Sequence, residues 1–81
     1  MRIELTRRAD KDYRSLSQQL RRQVDKQFEY LVGNLRHPSL DVKKYGGTDD
    51  VWRGRVNRDY RFYFRIRNDT YRMLMIIPHP K

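Results

Sequence analysis

An α+β domain of order βααβββ is predicted, with two N-terminal helices packed on one face of a small, mainly antiparallel sheet. Three observations predict it. Leu20, Val24, Phe28, Leu31 and Leu35 form a single helical stripe. From Asp59 to Arg67 polar and apolar residues alternate, as on a half-buried strand. Two short turn signals, Asn57-Arg58 and Asn68-Asp69, join three strand-like runs near the end of the chain.

In chain order, Arg2-Ile3-Glu4-Leu5-Thr6 alternates as a short strand with Ile3 and Leu5 inward, and Thr6 can cap the first helix. Residues 7–16 carry Ala9, Tyr13 and Leu16 at helical spacing, with Asp10 and Asp12 in the N-terminal half. Ser17 ends that helix and starts the striped one, whose last turns Gly33 weakens. His37 falls at the helix end, because the residue before Pro38 is pushed out of helical geometry. Residues 38–50 read as loop or irregular extended chain, with Gly46-Gly47 and the acidic pair Asp49-Asp50. Residues 51–56 then form a strand, Asn57-Arg58 a tight turn, and residues 59–67 the alternating strand. The last strand, residues 70–77, is apolar on both sides near its end, which predicts a central, covered position. Pro78 stops it.

At 81 residues the chain has room for one domain, residues 1–81, with one core. It has no cysteine, which excludes a disulfide framework, a thiolate metal site and a cysteine nucleophile. Neither an apolar N-terminal stretch nor a bilayer-length run is present, so a cytoplasmic protein without a membrane partner is expected.

The net charge is +9, and it is unevenly spread. Residues 51–81 hold eight positive groups against two negative, a net of +6, whereas residues 1–50 hold eleven against eight. The sheet half is therefore strongly basic, which favours a polyanion or an acidic protein as ligand. Between Trp52 and Arg67 lie Arg53, Arg55, Arg58, Arg61, Arg65 and Arg67. Alternation puts Tyr60, Phe62, Phe64 and Ile66 on one face and Arg61, Tyr63, Arg65 and Arg67 on the other. A solvated sheet face and a phosphate- and base-binding face both satisfy this pattern. Trp52 and Phe64 read as core; Tyr60 and Tyr63 suit either role.

Taken over its full length, the chain resembles the toxins of the RelE/ParE superfamily, small basic proteins of bacterial toxin–antitoxin pairs. The residues that carry the resemblance are Pro38-Ser39-Leu40-Asp41-Val42-Lys43-Lys44-Tyr45-Gly46-Gly47, Trp52-Arg53-Gly54-Arg55-Val56, Asp59-Tyr60-Arg61-Phe62-Tyr63-Phe64 and Ile76-Ile77-Pro78-His79. It spans nearly the full length and implies the RelE-like, microbial-ribonuclease-like fold. In the ribonuclease branch such toxins cleave mRNA in the ribosomal A site by driving a 2′-hydroxyl onto its own 3′-phosphate, with no metal or other cofactor. That chemistry needs a base, donors for the charge on phosphorus and an acid for the 5′-oxygen.

Carried over residue by residue, the resemblance implies Arg61 at the scissile phosphate, Arg53 and Arg55 beside it, and His79 as an acid/base group. Arg58, Arg65, Arg67, Lys43, Lys44, Tyr60 and Tyr63 would then hold the remaining mRNA or ribosomal RNA. Two departures stand out. Many members carry a tyrosine or arginine after the terminal histidine, whereas this chain has Pro80-Lys81, so Tyr45, Tyr60 or Tyr63 would have to fill that role. Where some members place a glutamate base, this chain offers Ser39 and Asp41; Asp59 is a further candidate.

The implied partner is a cognate acidic antitoxin that covers the arginine face or packs in a groove beside the helices. Operator DNA would be bound only through that antitoxin. The other branch of the superfamily implies a different function, non-enzymatic inhibition of DNA gyrase. A basic domain that binds RNA or the ribosome without cutting is a third reading, since fold alone does not select among them.

Overall fold

In the computed structural model, which describes residues 1–47 and 50–80, five strands form one sheet in the order β1-β5-β4-β3-β2. Asp49 of the acidic pair and the terminal Lys81 lie outside the described residues. The elements are β1 (Arg2–Leu5), α1 (Arg7–Arg14), α2 (Gln18–Gly33), a 3₁₀ turn (Pro38–Leu40), β2 (Lys43–Lys44), β3 (Trp52–Arg55), β4 (Tyr60–Arg67) and β5 (Thr70–Pro78). β1 runs parallel to β5, and every other pairing is antiparallel. Among the described residues no helix is long and apolar enough to cross a membrane.

Both predicted helices and four predicted strands are present, with α1 two residues shorter than expected. The segment 38–50 is more ordered than a loop. Pro38 starts a 3₁₀ turn, Asp41 closes it in the left-handed region (φ 45°), and Lys43–Lys44 pairs with Trp52–Arg53 as a fifth, edge strand. Two residues of pairing leave too short an alternation to read from sequence. The expected two-residue turn at Asn57-Arg58 is longer: β3 ends at Arg55 and β4 starts at Tyr60. Asn57 supports this turn, its Oδ1 accepting from the backbone N–H of Asp59 (2.7 Å) and of Tyr60 (2.9 Å).

β5 lies between β1 and β4, as its apolar sequence requires. Its pairing with β4 slips by one residue between Tyr63 and Phe64, so that Met75 faces Tyr63 and Met73 faces Phe64. Leu74 is the extra residue of this bulge, and it lets Met73 and Ile76, three apart, both enter the core. The freed backbone is satisfied by α1. Thr6 caps that helix through Ala9 N–H, and its hydroxyl donates to Leu74 O (3.2 Å). Asp12 Oδ2 accepts from Ile76 N–H (3.0 Å). Residues that look like helix-start chemistry in the sequence thus also fasten α1 to the irregular part of the sheet.

The core lies between the helices and the Phe62/Phe64 side of the sheet, with Val24, Leu31, Leu40, Phe62, Phe64 and Met73 fully buried. Phe28 packs edge-on to Phe62 at 5.3 Å. Gly54, paired with Phe62, is required by that packing, because a Cβ there would run into the Phe62 ring. The opposite face of the sheet carries no helix and holds the arginines.

Candidate phosphate-binding face

Register sets the arginines side by side. Arg55 lies directly opposite Arg61, and Arg53 opposite Tyr63, with Lys43 beyond Arg53 on the edge strand. Each of these pairings puts both members on the uncovered side of the sheet. Like charges facing one another are unfavourable, and among the described residues no carboxylate forms an ion pair with Arg53, Arg55 or Arg61. An anion laid across the three would relieve that repulsion.

Arg61 is held in place from one side. Its Nη1 donates to the carbonyls of Asn57 (2.6 Å) and Tyr60 (3.0 Å), so the hairpin turn fixes one end of the guanidinium. The turn is fixed in its own right, because Asn57 Nδ2 donates to Gln23 Oε1 on α2 (2.6 Å). Desolvation holds the Arg61 pKa below its ordinary value, helped by Arg55 and Arg53 and opposed by Asp41 and Tyr63. An arginine stays protonated throughout, so the shift reflects the cost of desolvating a charged guanidinium beside two like charges rather than a change of state.

The end of β5 brings His79 to the same corner. Tyr60 pairs with Pro78, and His79 N–H donates to Asp59 O (2.7 Å), continuing the ladder past the strand. Its Nδ1 is buried and has no hydrogen-bond partner among the described residues. Desolvation first, then Arg61 and Arg53, hold the imidazole pKa below its ordinary value. Near neutrality His79 is therefore uncharged and able to accept a proton.

The structure thus collects Arg53, Arg55, Arg61 and His79 at one end of the open face. It separates other expected residues from them. Tyr63, expected as an RNA-binding residue, is only 4% exposed, because Tyr45 packs edge-on against it at 4.9 Å. Tyr60, also expected as an RNA-binding residue, lies on the Phe62 side of β4, where alternation puts it, and packs against the core. Tyr45, half exposed at 49%, is the tyrosine that this face presents. Arg58 projects from the turn and Arg67 from the far end of β4, both exposed. Arg65 is half-buried, with its Nε enclosed and unpartnered. It sits opposite Arg72, whose Nη1 lies 3.5 Å from Glu4, a carboxylate that offsets part of the positive charge of the open face toward β1.

Lys43 and Lys44 are exposed and point to opposite sides of the edge strand. Lys43 lies 3.7 Å from Asp41; Lys44 lies 3.2 Å from Asp50, with its ammonium 5.6 Å from the centre of the Trp52 ring. Of the three candidates for the base position, Ser39, Asp41 and Asp59, Asp41 is the carboxylate whose charge reaches Arg61. Asp59 contributes its backbone to the corner. Gln27 has a positioning role that the sequence did not signal, because a glutamine on an apolar helix stripe has no distinctive pattern. Buried at 7% exposure, its Nε2 donates to Ser39 O (3.1 Å) and Arg55 O (2.8 Å), tying the 3₁₀ turn to β3.

The fold is shared with known proteins. No curated protein matches the sequence. Among solved structures, the fold is shared with the YoeB/ParE toxin from Agrobacterium tumefaciens (TM-score 0.82, 13% identity, 99% of this chain and 100% of that one). It is shared also with the archaeal RelE–RelB complex from Pyrococcus horikoshii (TM-score 0.78, 23% identity, 95% and 92%). The intact E. coli RelBE toxin–antitoxin complex gives a TM-score of 0.78 at 17% identity, over 99% and 98%. A model of the ParE toxin of type II toxin–antitoxin systems, parDE, matches residues 3–79, nearly the whole chain, and the protein therefore belongs to this family of the RelE/ParE superfamily, as the toxin of a type II toxin–antitoxin system.

Proposed function

We propose that this toxin is a ribosome-dependent mRNA endoribonuclease. The observation that carries the reading is the corner where Arg61, backed by Arg53 and Arg55, lies beside an imidazole whose proton affinity is lowered by desolvation first and then by Arg61 and Arg53. The arginines bind the scissile phosphate and stabilise the charge that builds on its oxygens. Neutral His79 takes the proton of the 2′-hydroxyl as its oxygen attacks phosphorus. The P–O5′ bond breaks, leaving a 2′,3′-cyclic phosphate, and the 5′-oxygen takes a proton from solvent. The anion itself raises the proton affinity of His79 as the substrate binds. Arg58, Arg67 and Lys43 lie outside the corner and fit contacts to the rest of the message or to ribosomal RNA.

Purified ribosomes programmed with a defined message test this by primer extension. The wild-type chain is expected to produce cleavage in the A site, and Arg61→Ala with His79→Ala to abolish it. Unchanged cleavage in the double variant would dismiss the site.

The family match motivates a second reading, inhibition of DNA gyrase. Such an inhibitor would block supercoiling by purified gyrase and leave cell-free translation running, the reverse of the pattern expected here. Several relatives were solved with antitoxins, RelB or YefM. An acidic antitoxin fits the arginine face better than the apolar groove at Ile3, Phe28 and Val32. That groove is rimmed by Asp25 and Glu29, which would repel it.

A further inference from the structure

On the helix side of the β2–β3 edge lies a cavity of about 440 Å³, within the range of small-molecule sites. Trp52, Leu35, Val42 and Pro38 give it apolar walls, and Arg36 and Asp41 give it one cation and one carboxylate. Of these residues only Asp41 also bears on the arginine corner, through its charge on Arg61. The cavity is joined to that corner in two further ways. Gln27 clamps the 3₁₀ turn, which leads into Asp41, to the backbone of Arg55. The edge strand carries positive charge around the rim: Lys43 pairs with Arg53 on the open side, and Lys44 pairs with Trp52 on the cavity side. Asp41 closes the 3₁₀ turn in the left-handed region, a conformation that aspartate and asparagine tolerate better than other side chains.

We infer that this cavity is a nucleobase subsite, taking the base of a nucleotide that neighbours the phosphate held by Arg53, Arg55 and Arg61. The indole of Trp52 offers a stacking surface, which every base can use. Asp41 accepts from the N–H groups on a base's Watson–Crick edge, best from guanine, which presents two adjacent donors. Arg36 and Lys44 face the flanking phosphates as the strand passes over the edge. This rests on the ribonucleic-acid reading of the arginine face, but the cavity can be tested apart from it.

Trp52 is the chain's single tryptophan, so its fluorescence reports on the cavity alone. Guanosine 5′-monophosphate is expected to quench it saturably, whereas ribose 5-phosphate, with the same charge and no base, is not. Asp41→Asn keeps a residue that tolerates the left-handed conformation, and Arg36→Ala alters an exposed side chain; each is expected to weaken binding roughly tenfold. Arg61→Ala should leave the quenching intact. Saturable quenching that survives Arg61→Ala would uphold the subsite even if the chain proved unable to cleave RNA. The inference is overturned if guanosine monophosphate does not quench, if ribose 5-phosphate quenches equally, or if Arg61→Ala abolishes quenching while Asp41→Asn and Arg36→Ala do not alter it.

Discussion

The charge of Arg61 acts on His79 and lowers the proton affinity of its imidazole, a property that can be measured. The imidazole is depressed by desolvation and by Arg61 and Arg53, so removing one cation should let it bind protons more readily. In Arg53→Gln the His79 titration, followed by NMR of the ring, is expected to move to higher pH; an unmoved midpoint would remove the electrostatic link. The same depression affects stability. The unfolded chain binds the proton more tightly than the folded one, so the contribution of His79 is complete above the ordinary imidazole range and declines as pH falls below it. For Arg61 both backbone carbonyls are bound by Nη1, which leaves Nη2 and Nε, the other edge of the guanidinium fork, for a phosphate. Arg61→Lys keeps the charge without the fork and should lower cleavage by roughly 100-fold or more, measured as single-turnover rate. Cleavage by the lysine variant at the wild-type rate would show that charge alone suffices.

Among the elements, the β3–β4 hairpin and its ties to α2 decide whether the corner exists. Asn57 satisfies two backbone donors of the turn, reaches α2 through Gln23 and offers its carbonyl to Arg61. Asn57→Ala is expected to cost about 1–3 kcal/mol in urea denaturation, because it leaves polar groups unpaired. It should also slow cleavage by more than its stability loss explains, which activity well below the melting range can separate. Gly54→Ala acts through the core instead. The added methyl meets the Phe62 ring, and a loss of about 1–3 kcal/mol is expected from overpacking. A Gly54→Ala chain as stable as the wild type would mean that Phe62 can move aside at little cost.

Over the whole molecule the +9 charge is concentrated on one sheet face, while the groove at Asp25 and Glu29 shows that the surface is not uniformly basic. RNA binding should therefore weaken steeply with salt. The slope of log affinity against log salt should fall in the Arg53→Ala, Arg55→Ala, Arg61→Ala triple variant by about 0.7 for each phosphate that is no longer neutralised. An equal slope in the triple variant would place the RNA elsewhere on the molecule.

Much of this architecture was legible in the chain, for physical reasons that differ by element. The stripe on α2 and the alternation on β4 are periodic over enough residues to identify a helix and a strand, and the charge excess lies within one stretch, so helix count, strand faces and a basic surface can be read from local pattern. β2 did not show itself this way, because two residues carry no period. Nor did the bulge at Leu74, because a run of apolar residues hides which of them leaves the core. Tyr63 alternates as an exposed residue should and is buried because Tyr45, eighteen positions earlier, folds over it. The proximity of His79 to Arg61 depends on how far β5 runs along β4, which is a matter of register rather than composition. The sequence alone determined the fold class and the basic face, since both are sums over local residues. Only tertiary structure decided which arginines meet the histidine and which tyrosine stays open, because both depend on long-range pairing that no local pattern encodes.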